Sequence, residues 1–246
     1  MALCKIEYYA ESIQKHTEMN VLIPDSPASE LGVLYLLHGL GNTKDAWCKW
    51  TALPRYHRDL NYMIVMPNAS IGWYCNDSRP GCFAWEDHII KDVIPFVERV
   101  FPASHKRAKR AIAGISMGGF GAVNIALRNS KLFSAVSGHA SAFFFTHEFS
   151  RSRPELDAHA KAIGMNGDYD VFKNAERAVA AKHFPKIRFD CGQNDPLLGC
   201  NRKFHEHLTL LGVSHEYDEP AGIHDWVFAD QQIPQTLRFA SQHFDS

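Results

Sequence analysis

Three short runs of uninterrupted apolar residues constrain this chain most: Val33-Leu34-Tyr35-Leu36-Leu37, Tyr62-Met63-Ile64-Val65-Met66 and Ala111-Ile112-Ala113-Gly114-Ile115. A strand with one face in water alternates apolar and polar residues. A strand apolar at every position must be covered on both faces, which is the situation inside a parallel sheet flanked by helices. Between and after these runs lie segments with apolar residues at helical spacing. Residues 87–101 carry Ile90, Val93, Ile94, Val97 and Val100 on one stripe, and residues 118–129 are rich in Ala and Leu. Strands alternating with helices predict an α/β layer with crossover connections.

The rest of the chain fits that frame. Residues 3–9 and 19–24 read as an antiparallel pair joined by the polar stretch 11–15. Further strands are expected at 132–137, 187–191 and 213–218. Helices are expected at 201–211, ended by Gly212, and at 226–244. Pro95 falls inside the 87–101 helix, where its missing N–H could kink it. Residues 139–186 break the rhythm with polar, Ala-rich sequence and two weakly helical stretches, 155–163 and 175–183, and read as a short insertion over the active site. One domain, 1–246, is expected, since a single core can still grow to about this length.

Composition removes several functions. The 246 residues carry a formal charge of −1, with 46% hydrophobic and 22% charged residues. No basic stripe is present to meet phosphates, so no nucleic-acid partner is expected. No apolar run approaches the ~18 residues of a membrane span, and the charged start lacks a secretory h-region, so a cytoplasmic chain with no membrane partner is expected. Six cysteines without CxxC spacing point to free thiols rather than a disulfide framework or a zinc site. Whether Cys75 and Cys82, in one polar loop, pair is left open. No metal or other cofactor is expected. A homo-oligomer is compatible with the sequence.

The chemistry centres on Gly114-Ile115-Ser116-Met117-Gly118, a G-x-S-x-G between a strand and a helix. Its glycines permit a sharp turn that leaves Ser116 at the tip and at a helix N-terminus, where developing negative charge is favoured. A serine hydroxyl needs a base. Among fourteen histidines, His224 alone lies in a loop between the last strand and the last helix. His205 and His207 fall on a helix, His215 in a strand and His243 at the chain end. The acid should follow the preceding strand, which selects Asp195 in Gly192-Gln193-Asn194-Asp195-Pro196, with Asp218 as the fallback. The bland alternative for Asp195 is an Asx turn before Pro196. Oxyanion donors are expected from the backbone of Met117 and of Leu40, in His38-Gly39-Leu40-Gly41. His38 is read as ordering that loop.

These stretches, with Val65-Met66-Pro67-Asn68, Gly72-Trp73-Tyr74 and Gly222-Ile223-His224-Asp225-Trp226, resemble the Putative esterase family of α/β hydrolases over nearly the whole chain. That family includes tributyrin esterases, S-formylglutathione hydrolases, feruloyl and acetylxylan esterases and mycolyltransferases. The resemblance implies an α/β-hydrolase fold and a serine carboxylesterase acting on a small short-acyl ester, acetyl to butyryl, through Ser116, Asp195 and His224. Residues 66–74 are most similar to the tributyrin-esterase branch. Formylglutathione hydrolases carry a cysteine just after the His-Gly-Leu motif, where this chain has Gly41-Asn42-Thr43. By the same resemblance Trp73, Tyr74, Phe83 and Trp85, which flank a loop similar to the family's active-site rim, would line the substrate pocket, with plain core packing as the alternative for each. Carbohydrate acetyl or feruloyl esterase, formylglutathione thioesterase and acyltransferase are the alternatives that share this triad.

Overall fold

A computed structural model describes residues 1–25, 30–77, 83–143 and 167–244. Eight strands form one sheet: β1 (Ala2–Ala10), β2 (Lys15–Ile23), β3 (Gly32–Leu37), β4 (Tyr62–Pro67), β5 (Arg110–Ile115), β6 (Ala135–His139), β7 (Lys186–Asp190) and β8 (Glu216–Asp218). Their order is β1-β2-β4-β3-β5-β6-β7-β8. β1 and β2 are an antiparallel hairpin, β2 meets β4 antiparallel, and every later pairing is parallel. β3, β4 and β5 are buried at every position, as their continuous apolar runs require.

Side-chain alternation divides the core between the two faces. Val33, Tyr35, Leu37, Val65, Ile112 and Val136 point to one face. They pack against the helices α4 (Ile94–Val100), α5 (Met117–Arg128), α6 (Val171–Ala180) and α7 (Leu198–Leu210). Leu34, Leu36, Ile64, Met66 and Ala113 point to the other, against α1 (Ala46–Trp50), α2 (Leu53–Tyr56) and the long α8 (Trp226–Phe244). This is the α/β-hydrolase layering expected from the sequence.

Several boundaries moved for local reasons. The expected 87–101 helix begins as α3 (Trp85–Asp87), widens into a π turn over His88–Val93, and resumes as α4. The wide turn ends just before Pro95. It gives the proline ring room against the preceding turn, so the helix is not broken there. β6 starts later than expected because the Leu132 N–H still bonds the Asn129 carbonyl as a continuation of α5's end. β8 is only three residues long: His215 is turned to bond Val213 O and the His205 ring. α6 begins before the expected 175–183 stretch, because the Asp170 carboxylate accepts from Phe172 N (3.0 Å) and Lys173 N (3.2 Å) and fixes an earlier start. The 155–163 helix lies outside the described residues, as do residues 144–166 of the expected insertion.

Candidate active site

The strand β5 ends at Ile115 and the helix α5 begins at Met117, so Ser116 carries the whole turn. Its backbone sits at φ 57°, ψ −117°, a conformation that costs a non-glycine residue about 1–3 kcal/mol and persists only where the surroundings enforce it. The enforcement is visible. The Ser116 N–H donates to His139 O at 2.9 Å, and its carbonyl accepts from Phe120 N at 3.0 Å and Ala142 N at 3.2 Å. The turn also demands the flanking glycines: a Cβ on Gly114 would lie 2.4 Å from the Gly118 backbone, and one on Gly118 would lie 2.5 Å from Leu37 O.

His224 reaches this turn from the loop between β8 and α8. Its Nε2 lies 2.9 Å from Ser116 Oγ, and its Nδ1 lies 2.7 Å from Asp195 Oδ2. A carboxylate offers only acceptors, so Nδ1 donates to it, and the lone pair of Nε2 faces the serine hydroxyl. The Asp195 side chain is fully buried, while His224 keeps about a third of its surface open. The two loops are joined by backbone bonds: Gln193 N donates to Pro220 O (2.9 Å) and Asn194 N to Gly222 O (3.0 Å).

The two oxygens of Asp195 make separate contacts, one for each reading of its sequence. Oδ1 accepts the Leu197 N–H at 2.7 Å, which is the Asx turn around Pro196, and this leaves Oδ2 for the imidazole. The same turn starts α7 at Leu198, three residues before its expected beginning. Asp218, the fallback acid, is exposed and lies 3.6 Å from the Arg188 guanidinium, on an ion pair of its own.

The Leu40 loop is pinned through His38. The ring Nδ1 lies 2.8 Å from Gly39 O and so donates to it, while Nε2 accepts the Ala69 N–H at 3.0 Å. Both nitrogens are therefore committed with the ring neutral, and burial holds the His38 pKa below the usual histidine value. This fits the reading of His38 as a residue that orders the loop. Met117, the first residue of α5, has an N–H that no intrahelical acceptor can take.

Trp73 and Tyr74 do not form an open wall. They are 2% and 1% exposed. Trp73 packs edge-on against Phe120, and Tyr74 lies over Gly121 with its hydroxyl donating to His38 O at 3.1 Å. Both hold positive φ, near 54° and 56°. These contacts are those of the packing alternative: the two rings support the His38 loop from behind. Phe83 and Trp85 meet edge to face beneath the Lys15 ammonium, at the β1–β2 turn. Cys75 is a free, buried thiol; Cys82 lies outside the described residues.

One constellation was missed in the sequence. His139, at the end of β6, places Nδ1 2.9 Å from both Asp190 oxygens, and its Nε2 lies 2.8 Å from Thr236 Oγ1, which in turn bonds Ser137 Oγ. Arg188 Nη1 bonds Asp190 Oδ2 at 2.6 Å. Burial alone would raise the Asp190 pKa, but His139 and Arg188 together hold it below the usual carboxylate range. The only sequence signal was a pair of charged residues, Arg188 and Asp190, inside a strand that otherwise reads as buried. Among the described residues, no group of three or more His, Cys, Asp or Glu side chains is placed to hold a metal ion. Among the same residues no helix is long and apolar enough to cross a membrane.

A serine held at a strained turn, bonded to an imidazole whose far nitrogen meets a buried carboxylate, is an arrangement that can pass a proton from hydroxyl to ring. The family model described as "Putative esterase" matches residues 10–240. The chain belongs to the Putative esterase family. It is accordingly a carboxylic ester hydrolase with the α/β-hydrolase fold. Among curated proteins it is similar to an acetyl esterase of Caldicellulosiruptor saccharolyticus, 25% identical over the full length of both chains. Among solved structures it is similar to the substrate-bound fluorophosphonate-binding serine hydrolase F of Staphylococcus aureus. That likeness has 26% identity and a TM-score of 0.87, covering 97% of this chain and 98% of the other. The S-formylglutathione hydrolase of the same organism shares the fold, at 24% identity and a TM-score of 0.86, with 97% and 98% coverage.

Proposed function

We propose that this family member is a serine carboxylesterase for short-acyl esters, acetyl to butyryl, with Ser116 as nucleophile, His224 as base and Asp195 as its orienting acid. The observation that carries the proposal is the unbroken line Ser116 Oγ–His224 Nε2 (2.9 Å), His224 Nδ1–Asp195 Oδ2 (2.7 Å). Ser116 Oγ attacks the ester carbonyl carbon as its proton passes to His224 Nε2. The carbonyl oxygen becomes an oxyanion facing the N–H groups of Met117 and Leu40, and losing one such donor typically costs about 2.7–4 kcal/mol of transition-state stabilisation. Collapse breaks the bond to the alcohol oxygen, which takes the proton from Nε2 and leaves an acyl group on Ser116. Water then repeats the sequence: it gives a proton to Nε2, attacks the acyl carbon, and releases the acid as the proton returns to Ser116 Oγ. Asp195 keeps the imidazole in the productive tautomer and stabilises its charged form without taking the proton.

The short-acyl preference rests on the full-length likeness to an acetyl esterase. It is tested by comparing kcat/KM on p-nitrophenyl acetate, butyrate and octanoate, a feruloyl ester and S-formylglutathione. The proposal expects acetate and butyrate to lead. A lead for the feruloyl ester or the thioester would keep the chemistry and replace the substrate class.

A further inference from the structure

The two ends of the sheet are finished differently. β8 is three residues long and carries Glu216 and Asp218, which makes a short, charged edge that resists pairing. β1 at the other end is nine residues long, pairs with β2 along its whole length, and among the described residues no strand pairs with its outer side. A long free edge is a template for another strand.

The sequence of that edge is complementary to itself. If two copies pair antiparallel in one sheet, the two-fold axis stands perpendicular to the sheet, and only residues on the same face can sit opposite each other. The strand midpoint is Ile6. Pairing about Ile6 sets Lys5 against Glu7 of the second copy twice over, and Leu3 against Tyr9 on either side. Pairing about Lys5 or Glu7 would instead put that charge against itself. Leu3 and Tyr9 are 42% and 49% exposed.

Glu7 also lacks a good partner within its own sheet. Its opposite residue on β2 is Glu18, a like charge, and Glu18 is already paired with Lys44 at 2.9 Å. Beside Glu7 stands only the imidazole of His16, 3.8 Å away among the described residues, with both side chains about 70% exposed. Lys5 stands opposite the neutral Asn20 and has no carboxylate partner among the described residues. Opposite residues on adjacent antiparallel strands bring their Cβ atoms within about 5.5 Å, so a second copy would supply both missing partners at once.

We propose that β1 is the seam of a homodimer in which two sheets join edge to edge about Ile6, with reciprocal Lys5–Glu7 pairs. The proposal does not depend on the esterase mechanism, because β2, β4 and β3 separate the seam from β5, the strand that leads into Ser116. Its test is a charge-swap cycle read by sedimentation velocity on the full chain: wild type, Lys5→Glu, Glu7→Lys and the double variant, with ester hydrolysis and circular dichroism as folding controls. The proposal expects a dimeric wild type. Each single variant should weaken dimerisation about tenfold or more, since two opposite-charge pairs become two like-charge pairs. The double variant should recover the dimer. A monomeric wild type, an assembly whose mass ignores both single variants, or a double variant no better than the singles would each overturn it.

Discussion

The N–H of Ser116 donates to the backbone carbonyl of His139 across 2.9 Å. The ladder of the central sheet thus runs one residue past β5 and into the turn at Ser116. The bond is continued sideways, since Ala140 N donates to Asp190 O at 2.8 Å and Cys191 N to Asp218 O at 3.1 Å. The strand ends around Ser116 are held as one row, and the side chains of His139 and Asp190 tie that row to α8 through Thr236.

From this arrangement Asp190→Asn should destabilise the whole protein. The substitution leaves the Arg188 guanidinium buried with weakened compensation and forces the His139 hydrogen bond to be remade. Breaking one side of a buried ion pair costs about 3–5 kcal/mol. Urea denaturation of both proteins measures the difference. A loss below about 1 kcal/mol would show that the network is not structural.

Asp195→Asn should leave the fold intact and lower kcat steeply. The amide can present its nitrogen to His224 Nδ1 and so select the tautomer that cannot accept the Ser116 proton. The expected loss in kcat is on the order of 10⁴-fold, by analogy with the same change in other Ser-His-Asp sites. Steady-state hydrolysis of p-nitrophenyl acetate, with circular dichroism alongside, is the measurement. A variant within tenfold of wild type would remove Asp195 from the mechanism.

Tyr74→Phe separates packing from substrate contact. If Tyr74 only supports the His38 loop, losing its hydroxyl should cost about 1 kcal/mol of stability, the ordinary worth of such a bond, while KM stays unchanged across the acyl series. A KM that rises with one acyl group and not another would restore Tyr74 to the substrate pocket.

His38 predicts an acid sensitivity of the Leu40 loop. Its pKa in the folded chain is depressed by burial, so folding favours the neutral ring, and unfolding takes up a proton once the pH is below that of a free histidine. The stabilisation is complete above pH ~6.5 and is lost as the pH falls from there toward the folded pKa. Protonation of Nε2 would also eject the Ala69 N–H. Denaturation midpoints measured over this window should fall more steeply for wild type than for His38→Gln. Parallel curves would contradict the assignment.

Much of this was legible in the sequence because each feature had a local cause. The apolar runs of β3, β4 and β5 state their two-sided burial directly. Gly114 and Gly118 announce the turn at Ser116, and the loop position of His224 separates it from thirteen other histidines. What stayed hidden depends on contacts distant in sequence. His139, Asp190 and Thr236 converge from β6, β7 and α8 with no spacing to betray them. Trp73 and Tyr74 look like rim aromatics until α5 is seen to pack on them. The start of α7 moved because one Asp195 oxygen was free to cap a turn while the other held an imidazole, a division of labour that sequence spacing does not display.

The central claim is that His224 activates Ser116 as the nucleophile. It is tested most directly by exposing the protein to a fluorophosphonate, digesting it, and locating the phosphonylated residue by mass spectrometry. A single adduct on Ser116 is expected, absent in Ser116→Ala and formed far more slowly in His224→Ala. No adduct, or an adduct on another residue that persists in Ser116→Ala, would contradict it.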